Sequence, residues 1–192
     1  DERDATLEGI AQLFWQGRPL VMLDAINHGE MIVGDVDPPA HEYFGPLRQR
    51  VQAWAAFREA GMRRNVLLQG EPGTGKSTFC LHAARELSAR TILLTPDGYE
   101  SMGTNEWRKL LEVLSPEMVI VDDIDRVGEH TIEARLRLFE EGYCEVPYSL
   151  FTSNDHTRLP RAMRRPGRVD ELIRVTPPGE ALCDELINRL AE

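Results

Sequence analysis

A glycine-rich turn between an apolar run and a helical segment constrains this chain more than any other feature of its sequence. Residues 65–69 form the apolar run, and the turn that follows, residues 70–77 (GEPGTGKS), fits the pattern G-x-x-x-x-G-K-[ST]. Glycines let such a turn present successive backbone N–H groups to phosphate oxygens. The helix that begins at Lys76 points its positive dipole end at the same place. The sequence therefore predicts a phosphate-binding strand–loop–helix unit.

The residues of this loop divide into those that cradle phosphate and those that carry charge or bind metal. Lys76 is expected to reach the β- and γ-phosphates of a nucleotide, and Ser77 is expected to hold Mg²⁺. The chain has only two lysines, Lys76 and Lys109, among 22 basic residues, and a compact ammonium suits this position better than a planar guanidinium. The predicted phosphate-contacting residues are Glu71, Pro72, Gly73, Thr74, Gly75, Lys76, Ser77 and Thr78.

Apolar runs alternate with helical patterns along the rest of the chain, which indicates an α/β fold. Helical spacing of apolar residues recurs in residues 79–89, 105–114 and 132–139. Strands that are buried on both faces are almost continuously apolar, so the alternation predicts a five-stranded parallel sheet with helices on both faces. The expected strands are residues 65–69, 91–95, 118–121, 148–152 and 172–175.

The first 40 residues differ from this pattern and are predicted to form a helical and linker segment. Residues 4–16 have helical spacing, whereas residues 20–23 fit either a short strand or a buried helix. The stretch 35–39 (DVDPP) predicts an extended linker, because each proline restricts the residue before it. The expected division is an N-terminal segment over 1–40, an α/β domain over 41–178 and a C-terminal piece over 179–192.

The third expected strand, Met118–Val121, ends in two adjacent carboxylates. Open α/β sheets bind ligands at the carboxyl ends of their strands. We therefore expect Asp122 to enter the Mg²⁺ shell and Asp123 to polarise an attacking water. Bound Mg²⁺ would allow both carboxylates to stay ionised side by side. The alternative is a solvated acidic turn that includes Asp125.

Two further elements follow the fourth expected strand: Ser153-Asn154, and an arginine-rich run over residues 159–170 (LPRAMRRPGRVD). Together with the loop and the acidic strand end, in this order and spacing, they resemble the AAA clade of the AAA+ ATPases over about residues 60–178. Within the clade, the amino-acid sequence of the run is most similar to the subfamily of the mitochondrial AAA chaperone that assembles respiratory complex III. The resemblance implies a P-loop AAA+ core with ATP and Mg²⁺ as cofactors.

The resemblance also implies roles for individual residues. Asn154 matches the polar sensor that orients the attacking water, and Asp123 stands where the family has its catalytic base. Arg165 and Arg168 match the paired arginine fingers that act on the nucleotide of a neighbouring subunit. The implied protein is a ring-like, hexameric homo-oligomer that hydrolyses MgATP at its subunit interfaces and remodels a protein partner.

Charge leaves a second interpretation of the arginine-rich run open. Residues 157–174 carry six arginines against Asp170 and Glu171, a local charge of +4 in a chain whose net charge is −10. A basic cluster of this kind also fits nucleic acid, so a loader ATPase that acts on DNA or RNA is an alternative. The rigid Pro166-Gly167 turn favours arginine fingers, which need fixed placement. The negative total argues against coating of nucleic acid or an anionic membrane by bulk charge.

Three departures from the family pattern bear on function. Asp123 stands where the family has Glu, and its shorter side chain predicts slow hydrolysis or an ATP-gated assembly switch with little turnover. The family's helical lid is expected to be truncated or mostly absent, because only residues 177–192 follow the last strand. Substrate-threading members carry an aromatic residue in a pore loop; Tyr99 is the candidate, and an ordinary turn tyrosine is the favoured alternative.

The remaining composition excludes other classes of protein. The three widely spaced cysteines fit neither a disulfide framework nor a zinc site, so we expect reduced thiols and a cytoplasmic location. No apolar run approaches the roughly 18 residues of a membrane helix. The five histidines do not cluster, and the three tryptophans fall at helical apolar positions, where they are expected to pack in the core.

Overall fold

The computed structural model of the chain describes residues 2–26, 30–36, 45–140, 146–165 and 168–177, together with Gly179, Cys183 and Asn188. Most of the expected linker over 35–39 and of the C-terminal piece over 179–192 therefore lies outside the described residues. The helices are α1 (Glu2–Trp15), α2 (Gly45–Glu59), α3 (Lys76–Glu86), α4 (Pro96–Ser101), α5 (Thr104–Leu114) and α6 (Glu129–Glu140). The strands are β1 (Leu20–Ile26), β2 (Glu30–Asp35), β3 (Arg64–Gln69), β4 (Thr91–Leu94), β5 (Met118–Val121), β6 (Tyr148–Ser153) and β7 (Glu171–Arg174).

The strands of the described residues form one sheet, in the order β2-β1-β4-β5-β6-β3-β7. The five expected strands are present as β3 to β7, and all the pairs among them are parallel. β6 lies between β3 and β5, so the carboxyl ends of these three strands meet at one edge of the sheet. The predicted parallel α/β fold is confirmed.

The expected number of five strands is wrong, because the N-terminal segment adds two strands to the same sheet. β1 pairs in parallel with β4, and β2 pairs with β1 as an antiparallel hairpin. The sequence left residues 20–23 undecided because a short apolar run fits a strand and a buried helix equally well. Pairing with the edge of β4, a long-range contact that periodicity does not report, makes the run a strand.

The sheet separates two clusters of buried side chains. One cluster lies under α1, α4, α5 and α6 and includes Trp15 and Trp107. The other lies under α2 and α3 and includes Trp54 and Phe79. All three tryptophans are buried, so their prediction as core residues is confirmed. Helices cover both faces of the sheet, as expected for parallel strands that are apolar on both sides.

The segment after β4 is neither an open turn nor a pore loop. Residues 96–101 form the short helix α4, and Tyr99 within it is 2% exposed. The Tyr99 ring meets Trp107 edge-on with centroids 5.9 Å apart, and the guanidinium carbon of Arg135 lies 3.9 Å from the Tyr99 centroid. Tyr99 is therefore a core residue. Both sequence-based interpretations of it were wrong, because Tyr99 is buried by packing against Trp107 in α5 and Arg135 in α6, which a turn signal does not report.

Close backbone packing of α4 on β1 leads to a test of the fold. A Cβ at Gly98 would lie 2.4 Å from the carbonyl oxygen of Leu23, so Gly98→Ala is expected to displace paired backbone. We expect it to lower the free energy of unfolding by about 2 kcal/mol, in the range of overpacking. Urea unfolding measures the change.

Gly9→Ala is the matched control for this substitution. Nothing lies within 4 Å of a Cβ at Gly9, which is inside α1. Helix propensity alone should therefore raise the free energy of unfolding by about 0.5–1 kcal/mol. Equal effects of the two substitutions would contradict the close approach of α4 and β1.

Candidate functional site

The glycine-rich turn lies at the carboxyl edge of the sheet, between β3 and α3. Gly75 has φ 85°, a left-handed conformation that favours glycine, and α3 begins at the next residue, Lys76, as predicted. The tip of the turn, residues 71–73, is exposed. At its base the buried Thr74 donates its hydroxyl to the carbonyl of Glu71 at 2.9 Å. The turn is thus fixed from inside and open to solvent at its tip.

Lys76 is the cation of the site and is only 5% exposed. Its ammonium donates to the carbonyls of Gly70 and Glu71 at 2.9 Å each, and to Oδ1 of Asn154 at 2.8 Å. These contacts hold the positive charge between the turn and the carboxyl end of β6. Thr78, the last of the predicted phosphate-contacting residues, is exposed on the first turn of α3.

Asp122 is held by two hydroxyl groups from different elements. Ser77 Oγ, at the start of α3, donates to Asp122 Oδ1 at 2.7 Å, and Thr152 in β6 donates to the same oxygen. Thr152 Oγ1 also accepts the backbone N–H of Asp123 at 2.8 Å. The structure therefore brings the two predicted metal ligands, Ser77 and Asp122, into direct contact.

The chemistry of this donor set fits Mg²⁺. A hydroxyl and a carboxylate are hard oxygen ligands, and Mg²⁺ in nucleotide sites is bound through one or two carboxylates, water and phosphate oxygens. No group of three or more His, Cys, Asp and Glu side chains in the described part of the chain is arranged to hold a metal ion by itself. Ser77 and Asp122 would therefore hold the ion together with the phosphates.

Asp123 and Asn154 meet across the ends of β5 and β6. Asp123 has φ 45° and ψ 49°, a left-handed conformation that is uncommon for residues other than glycine and clusters at functional sites. Asn154 Nδ2 donates to Asp123 Oδ1 at 2.7 Å. Because Asn154 Oδ1 also accepts from Lys76, one amide group connects the cation of the turn with the candidate base.

Asp125 and Thr152 support this arrangement, although the sequence did not single them out for it. The carboxylate of Asp125, 9% exposed, accepts the backbone N–H groups of Asn154 at 3.1 Å and of Asp155 at 3.2 Å. It thereby fixes the loop after β6. The sequence offers Asp125 only as part of a solvated acidic turn, because the N–H groups that donate to its carboxylate lie in another segment, 29 and 30 residues away. A hydroxyl at the end of an apolar strand was the available signal for Thr152.

The two arginines predicted as fingers differ in exposure. Arg165 is exposed, whereas Arg168 is 8% exposed and packs within its own chain. Two hydrogen bonds connect the run that carries them to β3. The backbone N–H of Asn65 donates to Asp170 Oδ2 at 2.8 Å, and the backbone N–H of Asp170 donates to the Asn65 carbonyl at 2.8 Å. Arg165 is therefore accessible to a second molecule, and Arg168 would have to leave its packing to reach one.

Cys80 lies in α3 behind the site and is fully buried. Burial raises the pKa of its thiol well above the ordinary value, and the nearby Asp122 carboxylate adds to the effect. The thiol therefore stays protonated and is a poor nucleophile. Cys80 is not paired in a disulfide.

The sequence also matches a known family. The model of the ATPase family associated with various cellular activities (AAA) matches residues 66–177, which include the turn, the acidic strand end, Asn154 and the arginine-rich run. The chain belongs to the AAA ATPase family. The cofactors of AAA ATPases are ATP and Mg²⁺, the groups that the turn, Ser77 and Asp122 fit.

Curated AAA relatives resemble the chain at low identity. Fidgetin-like protein 1 of Xenopus tropicalis is 24% identical over 172 residues, which cover 81% of this chain and 26% of that protein. The proteasome-activating nucleotidase of Methanosphaerula palustris is 27% identical over 170 residues, 76% of this chain and 41% of the nucleotidase. The ATP-dependent zinc metalloprotease FtsH 2 of Symbiobacterium thermophilum is 29% identical over 156 residues, 68% of this chain and 27% of the protease.

The chain spans about a quarter to two fifths of the length of these three relatives. The match therefore concerns the nucleotide-binding part that they share with this chain. Among the described residues, no helix has the length and apolar character needed to cross a membrane.

The double role of Thr152 predicts a sharp difference between two substitutions. Thr152→Val keeps the shape of the buried side chain but leaves Asp122 Oδ1 with one donor fewer and the Asp123 N–H without its acceptor. We expect a loss of about 1–3 kcal/mol in the free energy of unfolding and weaker Mg²⁺-dependent binding of ADP.

Thr152→Ser keeps the hydroxyl and is the control. Its free energy of unfolding should fall by less than about 1.5 kcal/mol, because only one buried methyl group is removed. Its binding of ADP should keep the Mg²⁺ dependence of the wild type. Denaturant unfolding and calorimetric titration with ADP, with and without Mg²⁺, measure both properties. Equal Mg²⁺ dependence in the Val and Ser variants would show that Thr152 does not organise the metal ligands.

Proposed function

We propose that the chain is the nucleotide-binding core of an AAA ATPase that binds and hydrolyses MgATP in an oligomer and uses the cycle to remodel a protein partner. One observation supports this most. The Asn154 side chain lies between the ammonium of Lys76, at 2.8 Å, and the carboxylate of Asp123, at 2.7 Å. A phosphate-binding cation, a water-orienting amide and a base are thus assembled in one group.

In this proposal the turn and Lys76 bind the phosphates. The exposed backbone of residues 71–73 and the N-terminus of α3 offer N–H groups and a positive dipole end to phosphate oxygens. The Lys76 ammonium neutralises charge on the β- and γ-phosphates. Ser77 Oγ and Asp122 would hold Mg²⁺, which would supply charge neutralisation at the phosphates when bound.

Asp123 and Asn154 act on the attacking water. The Asn154 amide orients the water, and Asp123 accepts its proton as the water oxygen bonds to the γ-phosphorus and the bond to the ADP oxygen breaks. The products are ADP and inorganic phosphate. A carboxylate one methylene shorter than Glu needs firm direction to reach the water, and the contact with Asn154 supports this.

The oligomer is proposed to be a ring-like, hexameric homo-oligomer in which Arg165 and Arg168 of one copy act on the nucleotide of the next. The exposure of Arg165 supports its role. For Arg168, the role requires release from the packing that leaves it 8% exposed. The likeness to the complex III assembly chaperone remains a prediction about the subfamily.

An ATP-gated assembly switch with little turnover is the second candidate function. Asp123 has the shorter side chain, and its Oδ1 already accepts a hydrogen bond from Asn154, which leaves less of the carboxylate for a water. Steady-state phosphate release from the wild-type protein separates the two functions. Clear turnover favours the motor, whereas ATP-dependent oligomers with negligible release favour the switch.

Substitution of the base gives the first test of the hydrolytic mechanism. Asp123→Asn keeps the size of the side chain but removes its ability to accept a proton, so phosphate release is expected to fall by about 100-fold or more. Binding of MgATP should persist, because the binding residues are untouched. Phosphate release and calorimetric binding are the two measurements.

Lys76→Ala is the comparison variant, because it is expected to lose the binding of MgATP as well as phosphate release. An Asp123→Asn protein that hydrolyses ATP at the wild-type rate would exclude Asp123 as the base and would contradict the mechanism.

Mixing of variants tests whether Arg165 acts on a neighbouring copy. Lys76→Ala and Arg165→Ala proteins are each expected to be inactive, but a mixture should recover part of the activity. In a mixed oligomer, an intact nucleotide site of an Arg165→Ala copy can meet the arginine of a Lys76→Ala copy. Phosphate release measured against mixing ratio should therefore pass through a maximum. A flat, inactive profile beside an active wild type would rule out the shared site.

A further inference from the structure

Arg126 has no role in the mechanism above, yet it lies beside the proposed base. It ends the 3-10 turn Ile124–Arg126, and its side chain is 64% exposed. Its Nη1 lies 3.8 Å from Oδ2 of Asp123. Asp123, the second residue after β5, precedes the turn in a left-handed conformation, and this brings the side chain three residues later back beside the carboxylate.

The two oxygens of the Asp123 carboxylate face two different groups. Oδ1 accepts from Asn154 Nδ2 at 2.7 Å, and Oδ2 faces Arg126. The terminal torsion of an aspartate is broad, so one hydrogen bond leaves the plane of the carboxylate free to turn. A second contact on the other oxygen limits this rotation.

Charge distinguishes Asp123 from the acidic residues next to it. Asp122 is held by the hydroxyls of Ser77 and Thr152, and Asp125 by backbone N–H groups. Within the described residues, Asp123 is the member of this trio that has an ion pair. A cation has therefore been placed at the carboxylate that the mechanism uses as a base.

We propose that Arg126 is a positioning residue for Asp123. Its guanidinium holds Oδ2, so that the carboxylate, with Asn154 on Oδ1, keeps the orientation in which it takes a proton from water. This inference rests on the proposed role of Asp123 as the base. It explains how a side chain shorter than Glu is kept directed at one place.

The competing explanation is an inert surface ion pair, because exposed pairs often contribute little. The chain contains a matched pair for comparison. Arg158 Nε lies 4.0 Å from Oδ2 of Asp155, also three residues earlier, and the Arg158 side chain is 66% exposed. The two pairs share the spacing and the exposure of the arginine, whereas the Asp123 side chain is 31% exposed and that of Asp155 is 47% exposed. They differ also in that the Asp155 carboxylate has no part in the proposed chemistry.

A series of charge changes at position 126 tests the proposal. Arg126→Lys should keep kcat for ATP hydrolysis within about twofold, Arg126→Ala should lower it about threefold, and Arg126→Glu about tenfold, as expected for an exposed charge contact. KM for ATP and the thermal unfolding midpoint should stay unchanged. The differences should shrink as salt is added, because exposed charges are screened.

The same substitutions at Arg158 are the control and should leave kcat unchanged. Equal effects at the two positions, or a flat series at 126, would overturn the positioning role. Asp123→Asn is measured alongside them. If it abolishes turnover while the Arg126 series is flat, this inference fails and the proposed function stands.

Absence of turnover in the wild type would count against the hydrolytic function itself. A second readout, which needs no turnover, keeps the inference about Arg126 testable in that case. The side-chain amide resonances of Asn154 report the contact between Asn154 and Asp123. Arg126→Glu should shift them, and Arg158→Glu should not. Resonances that are unchanged in Arg126→Glu would overturn the inference whatever the activity.

Discussion

The position of β6 between β3 and β5 is the constraint on which the site depends. Parallel pairing aligns Gln69 with Ser153 and Val121 with Phe151, so the three strands end side by side. The turn after β3, the carboxylates after β5 and the amide after β6 therefore converge, although 78 residues separate Lys76 from Asn154. A slip of one residue would turn every side chain to the opposite face and separate these groups.

Hydrogen bonds at the ends of the aligned strands fix the functional side chains relative to one another. Thr152 joins the Asp122 carboxylate to the Asp123 backbone, and Asp125 fixes the backbone at Asn154. These groups lie just above almost completely buried apolar strands, where hydrogen bonds are strong and unpaired polar groups are costly. The apolar core thereby fixes the positions of Asp123 and Asn154 more firmly than exposed loops would.

Local sequence patterns were sufficient to predict the elements whose conformation depends on neighbouring residues in the chain. The glycine turn, the start of α3 and the five parallel strands follow from glycine conformation and from continuous apolar runs. Features that depend on packing between separate elements were not predictable. β1 becomes a strand through pairing with β4, and Tyr99 is buried by α5 and α6. The sequence places Arg165 and Arg168 on either side of Pro166-Gly167, but it did not show that Arg168 packs into its own chain.

The most direct test of the account is a crystal structure of the protein with Mg²⁺ and a non-hydrolysable ATP analogue. We expect Lys76 Nζ to contact the β- and γ-phosphates, Ser77 Oγ and Asp122 to lie in the metal shell, and the γ-phosphate to face Asp123 and Asn154. A nucleotide whose phosphates lie away from the 70–77 turn, or a γ-phosphate turned away from Asp123, would contradict it.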